Sequence, residues 1–318
     1  MKVKSIYGKN SKRKIFSKKT RDKYIFVWAI IGIPVIQFLI FYVGVNFNSI
    51  LLAFQTYTQT ESGFSEFVFN AGFSNFVQFL TDIFHEELMI TCIKNSAIQY
   101  LAGLIISTPV AIGVAYFIWK GIPGSGFFKV TLMLPSIISG MVFVVIVKNL
   151  VMVGFTRMTG SNVFSNIFAD NFYAILVYDV WIGFAGNLVL YLGAMSGVSI
   201  DVVEYGKIDG VNDFQEFIHI IIPSIWPTIT TFLVVGVAGF FTSMGSRYSF
   251  FEHPLESNPR QNWTLGFYFF AYTYSGADAG GNIMYPYFAA GGILFTLVAT
   301  PITLFAKWAL EKFGPKED

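Results

Sequence analysis

The sequence predicts an all-α integral membrane protein with six transmembrane helices and both termini in the cytoplasm. Of its 318 residues, 54% are hydrophobic and only 13% are charged, about half the charged share of an ordinary soluble domain. The apolar residues form six stretches of roughly twenty residues or more, a length that crosses a ~30 Å hydrocarbon core. The basic residues gather at alternate ends of these stretches, which indicates the orientation of each helix.

The first apolar stretch, 24–45, follows a strongly basic tail over 1–23. A cleaved signal peptide has an apolar stretch of only about 7–15 residues, so 24–45 is predicted to be an uncleaved transmembrane helix. The tail holds ten lysines and arginines against one acid. This composition favours a cytoplasmic anchor beside anionic lipid over a nucleic-acid site.

Five further apolar stretches are each predicted to form one transmembrane helix. The second is closed by Lys120 and a glycine-rich turn, the third contains Pro135, and the fourth contains a single acid, Asp179. Because proline lacks the amide hydrogen, Pro135 is expected to kink the third helix. These stretches cover 95–119, 127–147, 172–195, 223–244 and 284–308.

Charge decides the orientation of the transmembrane domain, 24–308. With the tail, the second-to-third loop, the 199–223 segment and the C-terminal 309–318 inside, sixteen of the 21 basic residues are cytoplasmic. The external segment 46–94 is aromatic and acidic, and it is expected to be structured. The second external segment, 245–282, is rich in Gly, Ser, Asn and Pro and is predicted to be an exposed loop.

Signals for catalysis, metal binding and disulfides are missing. The three histidines are scattered without a second ligand at helical spacing, so no metal site is predicted. No glycine-rich loop carries the lysine and hydroxyl that hold nucleotide phosphates. The single cysteine, Cys92, is predicted to be a small buried hydrophobe. Asp179 is the one acid well inside an apolar stretch, but no partner for a proton relay is evident.

The cytoplasmic segment 199–223 carries the most informative pattern. Ser199 or Asp201 is placed to cap a helix, and Gly210 is placed to end it. An amphipathic stretch then leads into Pro223 and the membrane. The pattern predicts a helix, a turn and a second helix lying across the cytoplasmic face.

The spacing of this segment resembles the EAA loop of binding-protein-dependent ABC importer permeases, in the maltose and multiple-sugar branch. Tyr205, Gly206 and Val211 stand where the family has alanines, and Ile222 stands where it has leucine. The six helices and the position of the loop extend the resemblance over 24–308. The matching positions are Glu204, Asp209, Gly210, Phe217, Ile220 and Pro223.

This resemblance implies the type I ABC importer permease fold and a subunit that imports a sugar or oligosaccharide across a bacterial plasma membrane. It implies a second homologous permease, two cytoplasmic ATPase subunits that hold ATP and Mg, and an external solute-binding protein. Lipid is expected around the helices, and no nucleic acid. The chain itself is then not an enzyme. The residues expected to couple to the ATPase are Glu204, Tyr205, Gly206, Asp209 and Gly210.

Maltose-type permeases take their sugar contacts from a Trp-x-Gly-Phe segment and from spaced positions in the helix after the loop. Glycines would open space there, Phe240 would stack on a sugar, and Ser243 would orient it. The alternative for each glycine is close helix packing. The positions that the resemblance places on the solute path are Ile182, Gly183, Gly186, Gly236, Phe240 and Ser243.

Other functions stay open at this level. A glycerol-phosphate importer of the same family would need a basic residue in the cavity. The fourth and fifth predicted helices have none away from their ends. An ion-coupled secondary transporter would need several buried acids and broken helices related by a repeat. A membrane receptor or scaffold would leave the 199–223 pattern unexplained.

The predicted topology can be tested with reporters. A reporter fused after Asp318 should be active in the cytoplasm, and one inserted near Gly276 should be active outside, because the basic residues are concentrated on the inner side. If both reporters indicate the same side of the membrane, the topology of six transmembrane helices is wrong.

Overall fold

The computed structural model describes residues 18–59, 65–161, 171–251, 259–275 and 284–315. Most of the basic tail, the middle of the second external segment, and the two reporter positions above lie outside these residues. Within them, five helices are long and apolar enough to cross a membrane, and a bent pair makes six if it counts as one span.

The first span is a helix over 18–52, longer than the 24–45 predicted. It consists of α1 (Lys18–Gln37), a π-helical stretch (Phe38–Gly44) and α2 (Val45–Leu52). It forms a compact unit separate from 53–318, and no side chain described in it is buried. A helix that is apolar all round and exposed in this way suits a lipid environment.

The segment after the first span is structured, as the sequence predicts for 46–94. Strands β1 (Thr56–Gln59) and β2 (Ser65–Val68) pair antiparallel, with Thr56 opposite Val68. Helix α3 (Ser74–His85) follows and buries Phe79. The ends of the predicted segment belong instead to the flanking spans: the first continues through the uncharged residues 46–52, and the second begins at Glu87, ahead of Lys94.

The second span (Glu87–Trp119) is continuous. Its parts are α4 (Glu87–Ala102), a π-helical stretch (Gly103–Ser107) and α5 (Thr108–Trp119). It begins eight residues before the predicted 95. The additional residues include Glu87 and Lys94. Because these side chains are charged, they lie outside the apolar stretch that predicts the span.

The third predicted helix is broken. Helices α6 (Ser125–Ile137) and α7 (Gly140–Lys148) meet at 99°. The bend lies three residues after Pro135, at Ile138, whose ψ of 142° is extended. The kink expected at Pro135 is therefore displaced, and α6 continues through the proline. A π-helical stretch (Asn149–Gly154) and α8 (Phe155–Thr159) complete this region.

The fourth span, α9, covers Phe172–Met195, the predicted bounds. The side chain of Asn171 accepts a hydrogen bond of 2.9 Å from the amide of Tyr173 and caps its start. Helix α10 (Ile200–Ile208) follows, with Ser199 at its N-cap but without a side-chain bond there.

The fifth span (Asp213–Thr242) begins ten residues before the predicted 223. Its parts are α11 (Asp213–Glu216), a π-helical stretch (Phe217–Ile221) and α12 (Ile222–Thr242). The predicted second cytoplasmic helix is thus the first part of the span and not a separate element. Pro223 does not interrupt it: the proline lies two residues after the π-helical stretch, and the span continues through it to Thr242.

The prediction of an exposed loop over 245–282 is wrong for its described parts. Helix α13 (Arg247–Phe250) and a 3₁₀ turn (Arg260–Asn262) lead into α14 (Leu265–Ser275). Four side chains of α14 are buried, including those of Phe267 and Tyr268. The sixth span, α15 (Tyr285–Phe313), closes the described chain.

Two large apolar clusters hold 53–318 together. One joins the second, fourth and fifth spans around Leu188, Tyr191 and Ile225. The other packs α3, the second span, α14 and α15 around Phe79 and Phe267. Cys92 is fully buried in this second cluster, which confirms its interpretation as a buried hydrophobe.

Candidate functional site

Helix α10 ends in a glycine turn that satisfies its last carbonyls. Gly210 has φ +80°, a conformation that disfavours any side chain. Its amide donates to the carbonyl of Lys207 at 3.1 Å, and the amide of Val211 donates to the carbonyl of Gly206 at 3.0 Å. These two bonds form a Schellman motif. The expected helix end at Gly210 is confirmed.

The two faces of α10 differ. Val203 and Gly206 are buried against the fifth span. A Cβ atom on Gly206 would lie 2.7 Å from Cδ1 of Ile220, so glycine allows this close approach. Gly206 is therefore a packing residue, whatever its part in coupling. The other predicted coupling residues are exposed: Glu204, Tyr205, Asp209 and Gly210.

A cavity of about 370 Å³ lies between the second, fourth and fifth spans. On the fifth span it is lined by Phe232–Ser243, the end remote from α10. The structure brings four of the six predicted solute-path residues to its wall: Gly183, Gly236, Phe240 and Ser243.

The other two predicted solute-path residues do not line this cavity. Ile182 packs against the cluster that contains Phe143 and Tyr178. Gly186 has no heavy atom within 4 Å of the position where its Cβ would stand. Helical spacing explains the position of Ile182, because it neighbours Gly183 and points to a different face.

The second span supplies a wall of the cavity that sequence reasoning missed. A signal was present, since polar residues recur on one face of this apolar helix at intervals of three or four. The Oγ atom of Ser107 is buried and has no hydrogen-bond partner among the described residues. The polar and aromatic residues on this wall are Ser96, Gln99, Tyr100, Ser107 and Thr108.

A buried ion pair closes one end of the cavity. Nη1 of Arg247 lies 3.3 Å from Oδ2 of Asp179 and donates to Oε1 of Gln99 at 2.9 Å. Its Nε donates to the carbonyl of Asn262 at 2.6 Å, and the amide of Ser246 donates to Asp179 at 2.9 Å. The side chain of Arg247 is fully buried and that of Asp179 is 8% exposed. Asp179 therefore has the partner that the sequence did not reveal.

Gly245 makes this arrangement possible. It has φ +60°, and a Cβ atom there would lie 2.3 Å from Oδ2 of Asp179 and 2.5 Å from Nη1 of Arg247. Both the backbone conformation and the space therefore require glycine. The chain can turn sharply at the end of the fifth span and return Arg247 to Asp179, behind the cavity wall.

The histidines do not form a site. His85 and His219 each bond through Nδ1 to a carbonyl oxygen four residues earlier, at 2.9 and 3.1 Å. Nowhere in the described ranges do three His, Cys, Asp or Glu side chains come together as metal ligands. His253 lies outside those ranges.

Comparison with known proteins adds family and fold. The family described as binding-protein-dependent transport system inner membrane component matches residues 103–316. The chain is 27% identical over 189 residues to the maltose/maltodextrin transport system permease protein MalF of Vibrio parahaemolyticus. It is 25% identical to the diacetylchitobiose uptake permease NgcF of Streptomyces coelicolor and 23% identical to the arabinooligosaccharide permease AraP of Bacillus subtilis.

The coverage differs between these relatives. The matches take in 56%, 70% and 92% of this chain, and 36%, 66% and 90% of MalF, NgcF and AraP respectively. A solved bacterial ABC transporter involved in alginate import has a chain with TM-score 0.68 and 20% identity, covering 93% of this chain and 98% of its own. At that identity, the likeness concerns the fold.

The ion pair at the cavity end should be essential for stability. Asp179→Asn or Arg247→Met alone should lower the free energy of unfolding by about 3–5 kcal/mol, because each leaves a buried charge uncompensated. The double variant should lose less than the sum of the two. Unfolding of the purified protein in detergent measures this. As a control, Glu311→Gln breaks the exposed pair with Lys307 (3.7 Å), which is worth about 0–1 kcal/mol. Single variants as stable as this control would contradict the role of the pair.

Proposed function

Because the chain belongs to the family of binding-protein-dependent transport system inner membrane components, we propose that it is the permease subunit of an ATP-driven importer for a sugar or oligosaccharide. It is a multi-pass protein of the bacterial plasma membrane. The observation that carries the proposal is the pairing of a solute-sized cavity with an exposed glycine turn at the opposite end of the fifth span.

The cavity wall suits an uncharged, hydroxyl-rich solute. Tyr100 and Phe240 offer aromatic faces, and the Oγ atom of Ser107 offers an unused hydrogen-bonding group. Of the charged residues, the wall contains Asp179 and no base among its described members, and Arg247 compensates that acid. This balance favours a neutral saccharide over a glycerol phosphate, which would call for an unpaired cation.

The relatives agree with a saccharide. Those named above are permeases for maltodextrin, diacetylchitobiose and arabinooligosaccharides. Each solute is a chain of sugar rings, although the rings and linkages differ. The relatives therefore support a saccharide as the class of solute. They do not select one sugar, such as maltose.

The turn at Gly210 is proposed to dock on a cytoplasmic ATPase. Tyr205, Ile208 and Phe214 surround it and are 69%, 79% and 72% exposed. Large apolar side chains exposed together on a surface outside the membrane mark a site for a partner protein. Glu204 and Asp209 stand beside them and would add polar contacts at the rim.

The remaining parts of the importer follow from this role. Six spans with both termini in the cytoplasm would place the Gly210 turn inside the cell and the Asp179 end of the cavity outside. A second, related permease would complete the path, and an external binding protein would deliver the solute. Two ATPase subunits would hold ATP and Mg and hydrolyse the nucleotide, so this chain would transport without catalysing.

An ion-coupled secondary transporter is the weaker alternative. Such a protein would use a buried acid that can gain and lose a proton or ion. Asp179 is the acid in question, and its carboxylate is paired with Arg247 and bonded by the amide of Ser246. A carboxylate compensated in this way is a poor site for a transported cation.

The first test concerns coupling. Gly210→Asp should abolish uptake and ATPase binding while the protein stays in the membrane, because it strains the turn and adds a charge at the contact. Uptake and co-purification of the ATPase subunit measure the effect. Gly160 is a matched control, since it is also exposed with φ +69° but lies in another loop. Normal uptake in Gly210→Asp, or equal loss in Gly160→Asp, would contradict the docking site.

The second test concerns the cavity. Gly239 lines the cavity and has open space at its Cβ position, so Gly239→Trp should fill the cavity without overpacking helices. Uptake should fall at least tenfold in an assembled complex. Gly186→Trp is the control, because Gly186 is equally open but does not line the cavity. Unchanged uptake in Gly239→Trp would remove this cavity from the solute route.

A further inference from the structure

A buried carboxylate joins the start of the fifth span to the end of the second. The side chain of Glu216 is 2% exposed, and both of its oxygens lie 2.7 Å from Nζ of Lys120. The same Nζ lies 2.9 Å from Oδ1 of Asp213. Lys120 follows the last residue of the second span directly, so this pair fastens the ends of two spans to each other.

Aromatic contacts extend the same junction. The hydroxyl of Tyr116 lies 3.0 Å from Oε1 of Glu216 and 3.0 Å from the carbonyl oxygen of Asp213. Its ring lies 4.9 Å from that of Phe217, centroid to centroid. We call Tyr116, Lys120, Asp213 and Glu216 the inner clamp.

Lys120 keeps its charge in the inner clamp. Burial by itself lowers the pKa of Lys120, but hydrogen bonds to Glu216 and Asp213 outweigh it and raise that pKa above its ordinary value. Lys120 is therefore a cation at physiological pH. Charge-assisted hydrogen bonds of this length are among the strongest polar contacts that a side chain makes.

The position of the clamp in the chain gives it a mechanical role. Asp213 is three residues after Gly210, the exposed turn proposed to dock on the ATPase. The fifth span carries Gly236 and Phe240 to the cavity, and the second span carries Gln99 and Tyr100 to the opposite wall. A displacement of the turn would be transmitted to the fifth span through the continuous backbone. It would be transmitted to the second span through the side-chain contacts of the clamp.

We infer that Lys120 and Glu216 are positioning residues that couple the second span to the ATPase-docking turn, so that both walls of the solute cavity move together. This inference rests on the proposed function. The clamp touches neither solute nor nucleotide, and it acts through the spans that it joins. Its removal should disconnect ATP hydrolysis from solute movement.

The main experiment measures saccharide molecules imported per ATP hydrolysed, in reconstituted complexes shown by size exclusion to be intact. Glu216→Gln and Lys120→Met should each lower this ratio at least tenfold while hydrolysis continues. The double variant Lys120→Met with Glu216→Met should recover most of the ratio, because an apolar pair can replace a buried ion pair. Lys307→Met, in the exposed pair with Glu311, is the control and should leave the ratio unchanged.

A purely structural clamp gives a different result. Uptake and hydrolysis would then fall together as the complex is lost, with the ratio unchanged, and that outcome would overturn the inference. A ratio unchanged in intact single variants would overturn it as well. If the unmodified complex hydrolyses ATP but imports no saccharide, the proposed function fails instead.

A second measurement tests the clamp on the full chain without its partners. Spin labels at Val110 on the second span and Phe214 on the fifth occupy exposed positions, whereas the native Cys92 is buried. The distance distribution between the labels should be narrow in the otherwise unmodified chain and in the Met pair, and clearly broader in Glu216→Gln. An equally narrow distribution in Glu216→Gln would show that the clamp does not hold the two spans together.

Discussion

The arrangement of the helices depends on one constraint: a polar group placed among apolar helices must find its partners inside the protein. Arg247 meets most of this constraint at one end of the cavity, through Nε and Nη1, while its buried Nη2 has no hydrogen-bond partner among the described residues. Its guanidinium binds Gln99 of the second span, Asp179 of the fourth and the backbone of Asn262. Three separate parts of the chain are thereby fixed to the end of the fifth span, and this fixes where the cavity can open.

The opposite end of the same spans obeys the constraint in another way. There the carboxylate of Glu216 is buried against Lys120, whose side chain is 16% exposed, while the turn at Gly210 beside them is exposed. Gly206 allows α10 to lie against Ile220 without a gap. A rigid junction next to an exposed turn can transmit the movement of a bound partner protein to the spans. A flexible loop without such contacts could not.

Much of this organisation could be predicted from composition and spacing. The bounds of the fourth span could be predicted because its apolar run, which contains the single acid Asp179, coincides with the helix. The fifth span begins ten residues before the predicted 223, because the amphipathic stretch ahead of Pro223 continues into the membrane helix without a break. Helix α14 is not predicted, because its short apolar stretch lies within 245–282, a segment that is polar on average. The partner of Asp179 could not be found, since Arg247 is 68 residues away and pairing over that distance is set by the fold.

The ion pair that holds the spans together also determines the chemistry of the cavity. An uncompensated Asp179 would attract cations and repel acidic solutes, and an uncompensated Arg247 would attract phosphates. Because Arg247 is fully buried behind the wall, its charge cancels that of Asp179 without entering the cavity. What remains for a solute is a set of neutral donors and acceptors beside the rings of Tyr100 and Phe240, which contact each other edge to face. Such a surface fits the uncharged saccharide that we propose as the solute.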